Sequence, residues 1–177
     1  MISVLWSTRN EFPSNMVRYL LGSESSHVSL LYQPRSLAAG IVLHTSPFGT
    51  RLEWYPDFKK HNKVIWSLKP TYLNEKMESR VFDEACDTFH GTTYDYSAFS
   101  FWTKSALAYK FLGTPLPTTN KWQNSELPLC TQLILCLKHC VRDLGIEWDI
   151  VWPRDMDMVA PDDLYTLLSK SKYFDKH

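Results

Sequence analysis

The chain has 177 residues and carries 19 basic and 19 acidic side chains, which gives a formal charge of zero. Its length predicts one domain over residues 1–177, because globular domains run to about 100–200 residues. The balanced charge argues against nucleic acid as a partner, since proteins that bind phosphate backbones present an excess of basic residues.

Hydrophobic patterning and cysteine use predict a cytoplasmic protein. The apolar runs are short, far below the ~20 residues needed to cross a bilayer, so we predict no membrane span. The start of the chain lacks the basic and apolar regions of a signal peptide. Most of the four cysteines fall in one predicted helix, an arrangement that favours reduced thiols over a disulfide framework. No feature of the sequence indicates an oligomeric state.

The first half of the chain predicts an antiparallel sheet with one early helix. Pro13, an apolar stripe and Gly22 indicate that helix over residues 10–22. Short β-type runs predict strands over 2–7, 27–32, 39–44, 50–54 and 63–68. The second and third strands form a predicted hairpin, and the last two extend it to a meander of about four. Glu53 and Asp57 are interpreted as parts of a solvated loop.

The second half of the chain is mainly helical. Apolar residues at helical spacing predict helices over residues 74–89, 97–112, 130–145 and 161–168. A short strand is predicted over residues 148–152. The predicted fold class is therefore α+β, with an antiparallel sheet from the first half packed against helices from the second.

Cys130 is the most informative cysteine. Pro128 lies just before it and an apolar helical stripe follows, so Cys130 is predicted in the first turn of a helix. The free N–H groups there stabilise a thiolate, lower the pKa of the thiol and can hold an oxyanion. The competing interpretation is a small buried residue. We predict no metal and no cofactor, because no second ligand pair accompanies the cluster formed by Cys136, His139 and Cys140.

Two histidines of the predicted hairpin are candidates for the base that a cysteine nucleophile needs. If Tyr32 pairs with Ile41, His27 and His44 lie diagonally on one face of the sheet, about 7–8 Å apart. A register shifted by one residue separates them onto opposite faces. Taken singly, each histidine is more simply explained as a partly buried residue whose hydrogen bonds are satisfied.

Four short motifs, in this order, resemble the circularly permuted papain-like proteins of the NlpC type. In that family a helix leads into a strand that begins with the catalytic histidine, and the nucleophilic cysteine opens a later helix. Histidine before cysteine is the order that the permutation produces. The matching segments are Ser26-His27-Val28-Ser29-Leu30 after the helix from Pro13, Tyr94-Asp95-Tyr96, Cys130-Thr131-Gln132-Leu133 and Pro161-Asp162-Asp163-Leu164.

The resemblance implies a permuted papain-like fold with Cys130 as nucleophile and His27 as base. The family's third catalytic position lies on the next strand, where this chain has His44, as in the lecithin retinol acyltransferase-like branch. His44 is then expected to hold the His27 ring in its productive orientation. The implied mechanism is attack on an amide or ester carbonyl by a Cys130 thiolate paired with an imidazolium. Thr131-Gln132 departs from the family's commoner serine and glutamate.

Several functions stay open within this resemblance. One is an amidase or peptidase acting on a peptide or another amide, and another is a lipid acyltransferase or thioesterase acting on an ester. A catalytically silent domain of the same fold, used for binding or assembly, is the alternative from a different class. The side chains predicted to contact a substrate are those of Trp122, Tyr94 and Tyr96.

Overall fold

The computed structural model describes residues 1–124, 128–143, 150 and 158–176. It shows a six-stranded antiparallel sheet packed with helices, which confirms the predicted α+β class. Apart from Ile150, the strand predicted over residues 148–152 lies outside the described residues.

The sheet has the strand order β4-β3-β2-β1-β5-β6. Its strands are β1 (Ile2–Thr8), β2 (His27–Tyr32), β3 (Ile41–Ser46), β4 (Gly49–Trp54), β5 (Lys63–Pro70) and β6 (Phe174–Lys176). Strands β2, β3 and β4 form the predicted meander, but β5 leaves it and pairs with β1, where Trp66 lies opposite Trp6. The prediction of a four-stranded meander was therefore wrong at its last strand.

The helices are α1 (Phe12–Leu21), α2 (Tyr55–His61), α3 (Glu75–Phe89), α4 (Tyr96–Leu112), α5 (Leu135–Asp143) and α6 (Pro161–Ser169). A 3-10 helix over Cys130–Ile134 leads directly into α5. Within the described ranges, no helix is both long and apolar enough to cross a membrane.

Helix α2 corrects the loop predicted around Asp57. Pro56 suits the first turn of a helix, and Phe58 from the middle of α2 is completely buried against the sheet. The connection from β4 to β5 is therefore a packed helix rather than a tight turn. Helix α2 packs across the face of the sheet between β4 and β5, and these two strands, which are consecutive in sequence, do not pair.

The two faces of the sheet have different partners. One face carries Trp6 and Leu30 and packs on α3, α5 and α6 to form the main core. The other face carries Leu31 and Val42 and packs on Phe58. The alternation of neighbours such as Leu30 and Leu31 follows from the two-residue period of a strand.

The tight turn between β3 and β4 is bonded to the segment that precedes α4. Gly49 in this turn has a φ of +100°, and a Cβ atom there would lie 2.8 Å from the carbonyl oxygen of Thr92. Thr50 N–H donates to that same oxygen at 2.9 Å, and Gly91 N–H donates to the Thr50 carbonyl at 2.9 Å. The hairpin therefore positions the chain leading to Tyr94.

Replacement of Gly49 by alanine tests this attachment. We expect Gly49→Ala to lower the free energy of unfolding by about 3 kcal/mol, because it adds both backbone strain and a contact with a backbone carbonyl. The matched control is Gly22→Ala, where φ is +65° but no atom lies within 4 Å of the added Cβ. That variant should lose only about 1–2 kcal/mol in urea denaturation. Equal losses in the two variants would contradict the close approach at Gly49.

Candidate active site

A single cavity brings together most of the residues singled out in the sequence. Its volume is about 230 Å³, and it lies where the ends of β2 and β3 meet α1, α4 and the start of the 3-10 helix. His27, His44 and Cys130 all line it, as do Tyr94 and Tyr96. The remaining wall is mostly apolar and includes Pro13, Val17, Phe99, Trp102, Leu129 and Val159.

The β2–β3 pairing sets the two histidines side by side. Tyr32 lies opposite Ile41 and Ser29 opposite His44, which is the register that places the two histidines diagonally. The ring centroids of His27 and His44 are 5.7 Å apart, with the ring planes perpendicular. The prediction that both imidazoles share one face of the sheet is therefore confirmed.

Cys130 opens the helical segment, as predicted. The side-chain oxygen of Gln132 accepts the Leu129 N–H at 2.6 Å and so caps the first turn. The backbone N–H groups of Val28, Thr131 and Cys130 itself lie near the sulfur and act to lower the pKa of the thiol. Because Val28 directly follows His27, the sulfur lies against the strand that carries the predicted base.

The predicted low pKa of Cys130 is wrong in its net direction. The backbone donors lower the pKa of the thiol, but burial raises it by more, and the pKa ends above its ordinary value. Cys130 therefore carries its proton at neutral pH. Sequence reasoning identified the donors at the helix start, whereas the cost of burying a thiolate depends on the walls that the rest of the fold supplies.

His27 and His44 are also uncharged at neutral pH. Burial, with a smaller contribution from the positive charge of Arg9, lowers the pKa of His27 to about 4. Burial lowers the pKa of His44 to about 3, and the charges of His27, Arg51 and Arg9 add to the effect. A thiolate–imidazolium pair is consequently not the resting state of the site.

Two side chains of β4 lie within 3.5 Å of the Nε2 atom of His44. Glu53 Oε2 lies 3.1 Å from His44 Nε2, and Arg51 Nε donates to the same nitrogen at 3.3 Å. The Glu53 carboxylate favours a protonated ring, yet burial and the nearby positive charges prevail. Sequence reasoning missed these residues, although a β3–β4 turn at Gly49 places Arg51 opposite His44 and Glu53 two residues along the same face.

The three predicted substrate-contacting side chains separate into two groups. Tyr94 and Tyr96 line the cavity, and the Tyr96 hydroxyl donates to the Pro47 carbonyl. Burial and the neighbouring Cys130 raise the pKa of Tyr94, so its hydroxyl keeps its proton. Trp122 instead packs on α4, with its ring 5.6 Å from that of Phe101, and it is not among the residues that line this cavity.

The reason for the different position of Trp122 lies in its backbone bonds. Its N–H donates to the side chain of Asn120, and its carbonyl accepts the Ser97 hydroxyl, both at 3.0 Å. These bonds hold the loop against the start of α4. The ammonium of Lys104 lies 4.3 Å from the centre of the Trp122 ring and adds a cation–π contact.

Asp162 at the start of α6 holds the turn that leads into His27. Its carboxylate accepts the N–H groups of Glu24 at 2.8 Å and Ser25 at 3.1 Å, and the Ser25 hydroxyl at 2.5 Å. One residue later, Ser26 N–H donates to the Ser7 carbonyl at 3.0 Å. Asp162 is therefore a positioning residue for the predicted base.

Removal of the Asp162 carboxylate tests this anchoring role. We expect Asp162→Ala to lower the free energy of unfolding by about 1.5–3 kcal/mol, the range for hydrogen bonds to a charged group. The control Asp163→Ala removes a neighbouring carboxylate from the same helical turn, at an exposed position. Both variants lose the interaction with the helix dipole, so a larger loss for Asp162→Ala in urea denaturation isolates the turn bonds. Equal losses would contradict the anchor.

The low pKa values of His27 and His44 predict a specific acid destabilisation. Between pH 6.5 and about 4 the unfolded chain takes up protons on these rings while the folded chain does not. Stability should therefore fall as the pH drops through this window, by up to about 1.4 kcal/mol per pH unit for each histidine. Urea denaturation of His27→Gln and His44→Gln should show a shallower slope than the wild type. His61→Gln, at an exposed position, serves as the control and should keep the wild-type slope.

Comparisons with known proteins add no family to this description. No protein-family model matches the chain, and no curated protein shows significant similarity to it. The chemistry of the cavity has to be argued from its own residues.

Proposed function

We propose that this protein is a thiol hydrolase of the permuted papain-like type, which cleaves an amide or ester through an acyl-enzyme on Cys130. One observation carries the proposal: a cysteine at a helix start and two adjacent histidines line the same cavity. The nearness of the Val28 N–H, one residue after His27, to the sulfur supports the pairing of Cys130 with His27. Nucleophile, base and a third orienting group are the components that covalent acyl transfer needs.

The arrangement of elements supports the papain-like part of the proposal. Helix α1 leads into β2, which begins at His27, and β3 follows with His44. The helical segment that begins at Cys130 comes later and packs beside β2. These elements stand in the order of the motifs that resemble the family.

Because Cys130 and His27 are both uncharged at rest, the first step includes transfer of a proton between them. His27 accepts the Sγ proton while the sulfur attacks the carbonyl carbon, so the thiolate forms only as the C–S bond forms. The carbonyl oxygen becomes an oxyanion next to the N–H groups of the first helical turn. The protonated hydroxyl of Tyr94, in the same wall, is our candidate for an additional donor.

The second half of the cycle returns the proton. His27 donates it to the leaving amine or alcohol, which departs as the carbonyl of a thioester on Cys130 re-forms. Water then attacks the thioester with His27 again as base, and the acid product leaves with the free thiol restored. His44 acts as a positioning residue: the hydrogen bond that its Nε2 accepts from Arg51 Nε holds its ring, which in turn packs against that of His27.

The lining of the cavity favours one substrate class over the other. Eight of the twenty residues that line it are proline, valine, leucine, phenylalanine or tryptophan, and most of the surface that the wall exposes to the cavity is apolar. Transfer of an apolar acyl group from water into this cavity is favourable. A peptide backbone would lose its hydrogen bonds to water in the same transfer. We therefore favour an ester, thioester or amide of an apolar acid over a polar peptide, which is closer to the thioesterase or acyltransferase alternative than to a peptidase.

A catalytically silent binding domain is the second candidate. The observation that favours it is the combination of a raised pKa at Cys130 and a lowered pKa at His27, since reactive cysteines commonly have a depressed pKa. A silent domain binds ligands in the cavity without forming an adduct on the sulfur.

Turnover of p-nitrophenyl butyrate separates these two candidates. We expect Cys130→Ala to abolish hydrolysis and His27→Gln to lower kcat/KM by about 10²–10⁴-fold, the range for loss of a general base. Acid-quenched protein should carry a butyryl group on Cys130, detected by peptide mass spectrometry. Cys86→Ala, which removes a partly buried thiol on α3, is the matched control and should keep full activity.

The outcomes of this experiment are distinct. Hydrolysis that persists in Cys130→Ala would refute the proposed nucleophile. Absence of both turnover and adduct in the wild type, together with binding of butyrate esters, would support the silent domain instead. A drop in kcat with unchanged KM in His44→Gln supports its positioning role, because a merely structural change would also disturb substrate binding.

A further inference from the structure

Arg9 stands out in the cavity wall because of its charge. Among the described residues that line the cavity, Arg9 is the only arginine or lysine, and Glu11 is the only carboxylate. The Arg9 side chain is 19 % exposed, whereas that of Glu11 is 59 % exposed. The Arg9 guanidinium therefore lies in the wall of a mostly apolar cavity, where an unpaired charge is unfavourable.

The protein supplies only part of what this guanidinium can bind. Arg9 Nη1 lies 3.7 Å from Glu11 Oε2, a long contact to a largely exposed carboxylate, which makes a weak ion pair. Arg9 Nε is buried and has no hydrogen-bond partner within the described part of the chain. The part of the Arg9 guanidinium that a ligand can reach lies in the cavity wall, and its long contact with Glu11 leaves it available to a second acceptor.

The backbone of Arg9 is held next to the predicted base. Arg9 N–H donates to Ser14 Oγ at 3.0 Å, and Ser14 Oγ lies 2.5 Å from Ser26 Oγ. Ser26 directly precedes His27, so this chain of hydrogen bonds runs from Arg9 to the residue before the predicted base. The Arg9 charge also contributes to the lowered pKa values of both His27 and His44, as expected for a cation close to the two rings.

We propose that Arg9 binds a carboxylate of the substrate, so that the site accepts compounds combining an apolar body with a carboxylate close to the scissile amide or ester. A carboxylate matches the planar donor pattern of a guanidinium and is a stronger partner than the Glu11 carboxylate, which lies 3.7 Å from Arg9 Nη1. The apolar part then lies against side chains such as Phe99 and Trp102. The substrate class rests on the proposed function, but the carboxylate site itself does not, since binding needs no turnover.

Two probes of equal length and different charge test this site without knowledge of the substrate. Isothermal titration calorimetry compares hexanoate with hexanamide on the intact wild-type chain at pH 8, where both histidines are neutral. We expect hexanoate to bind at least about tenfold more tightly, in line with a charge-assisted hydrogen bond. Arg9→Gln should remove this preference, and Arg9→Lys should keep only part of it, because lysine has the charge without the planar donor pair.

The control variant is Arg35→Gln, which removes the same charge from an exposed residue. It should bind both probes like the wild type, and thermal melting should show that every variant is folded. Equal affinities of the two probes in the wild type, no binding of hexanoate, or an unchanged preference in Arg9→Gln would each overturn the proposal. Loss of the thiol hydrolase function is a separate outcome: hexanoate binding with no turnover of p-nitrophenyl butyrate would retain the Arg9 site and refute the enzyme.

Discussion

The antiparallel pairing of β2 with β3 is the constraint on which the site depends. Because Ser29 lies opposite His44, His27 and His44 point from the same face of the sheet. A shift of one residue would move the whole of one strand to the opposite face and separate the rings. The pairing also leaves Val28 one residue beyond the end of the β2–β3 ladder, with its N–H near the sulfur of Cys130.

Burial is the second physical factor, and it shifts the pKa values of Cys130, His27 and His44 in the direction of neutrality. It raises the pKa of Cys130 and lowers that of both histidines, so the site rests without a thiolate or an imidazolium. Arg9 cannot respond in this way, since an arginine side chain stays protonated in proteins. The cavity therefore combines the uncharged Cys130 and His27 with the permanent positive charge of Arg9. This charge is the reason why we propose an anionic ligand for the site.

Elements outside the cavity hold its parts in place. Asp162 binds the turn before His27, and the turn at Gly49 is bonded to the segment before Tyr94. Trp6 adds a third link, because its indole N–H donates to the Pro161 carbonyl at 2.7 Å and ties the central strand to the start of α6. Each link joins parts of the chain that are far apart in sequence. The geometry of the site therefore depends on the whole fold.

The sequence by itself determined the features that depend on local pattern. Strand periodicity located His27 and His44 and set their register, and the sequence before Cys130 placed that residue at a helix start. Only the tertiary structure decided the pairing of β5 with β1, the contacts of Glu53 and Arg51 with His44, and the position of Trp122. These features arise from packing between distant segments, which a local pattern does not encode. The pKa of Cys130 belongs to the same group, because the helix start is local whereas the strands β2 and β3, which pack against it, are brought there by the fold.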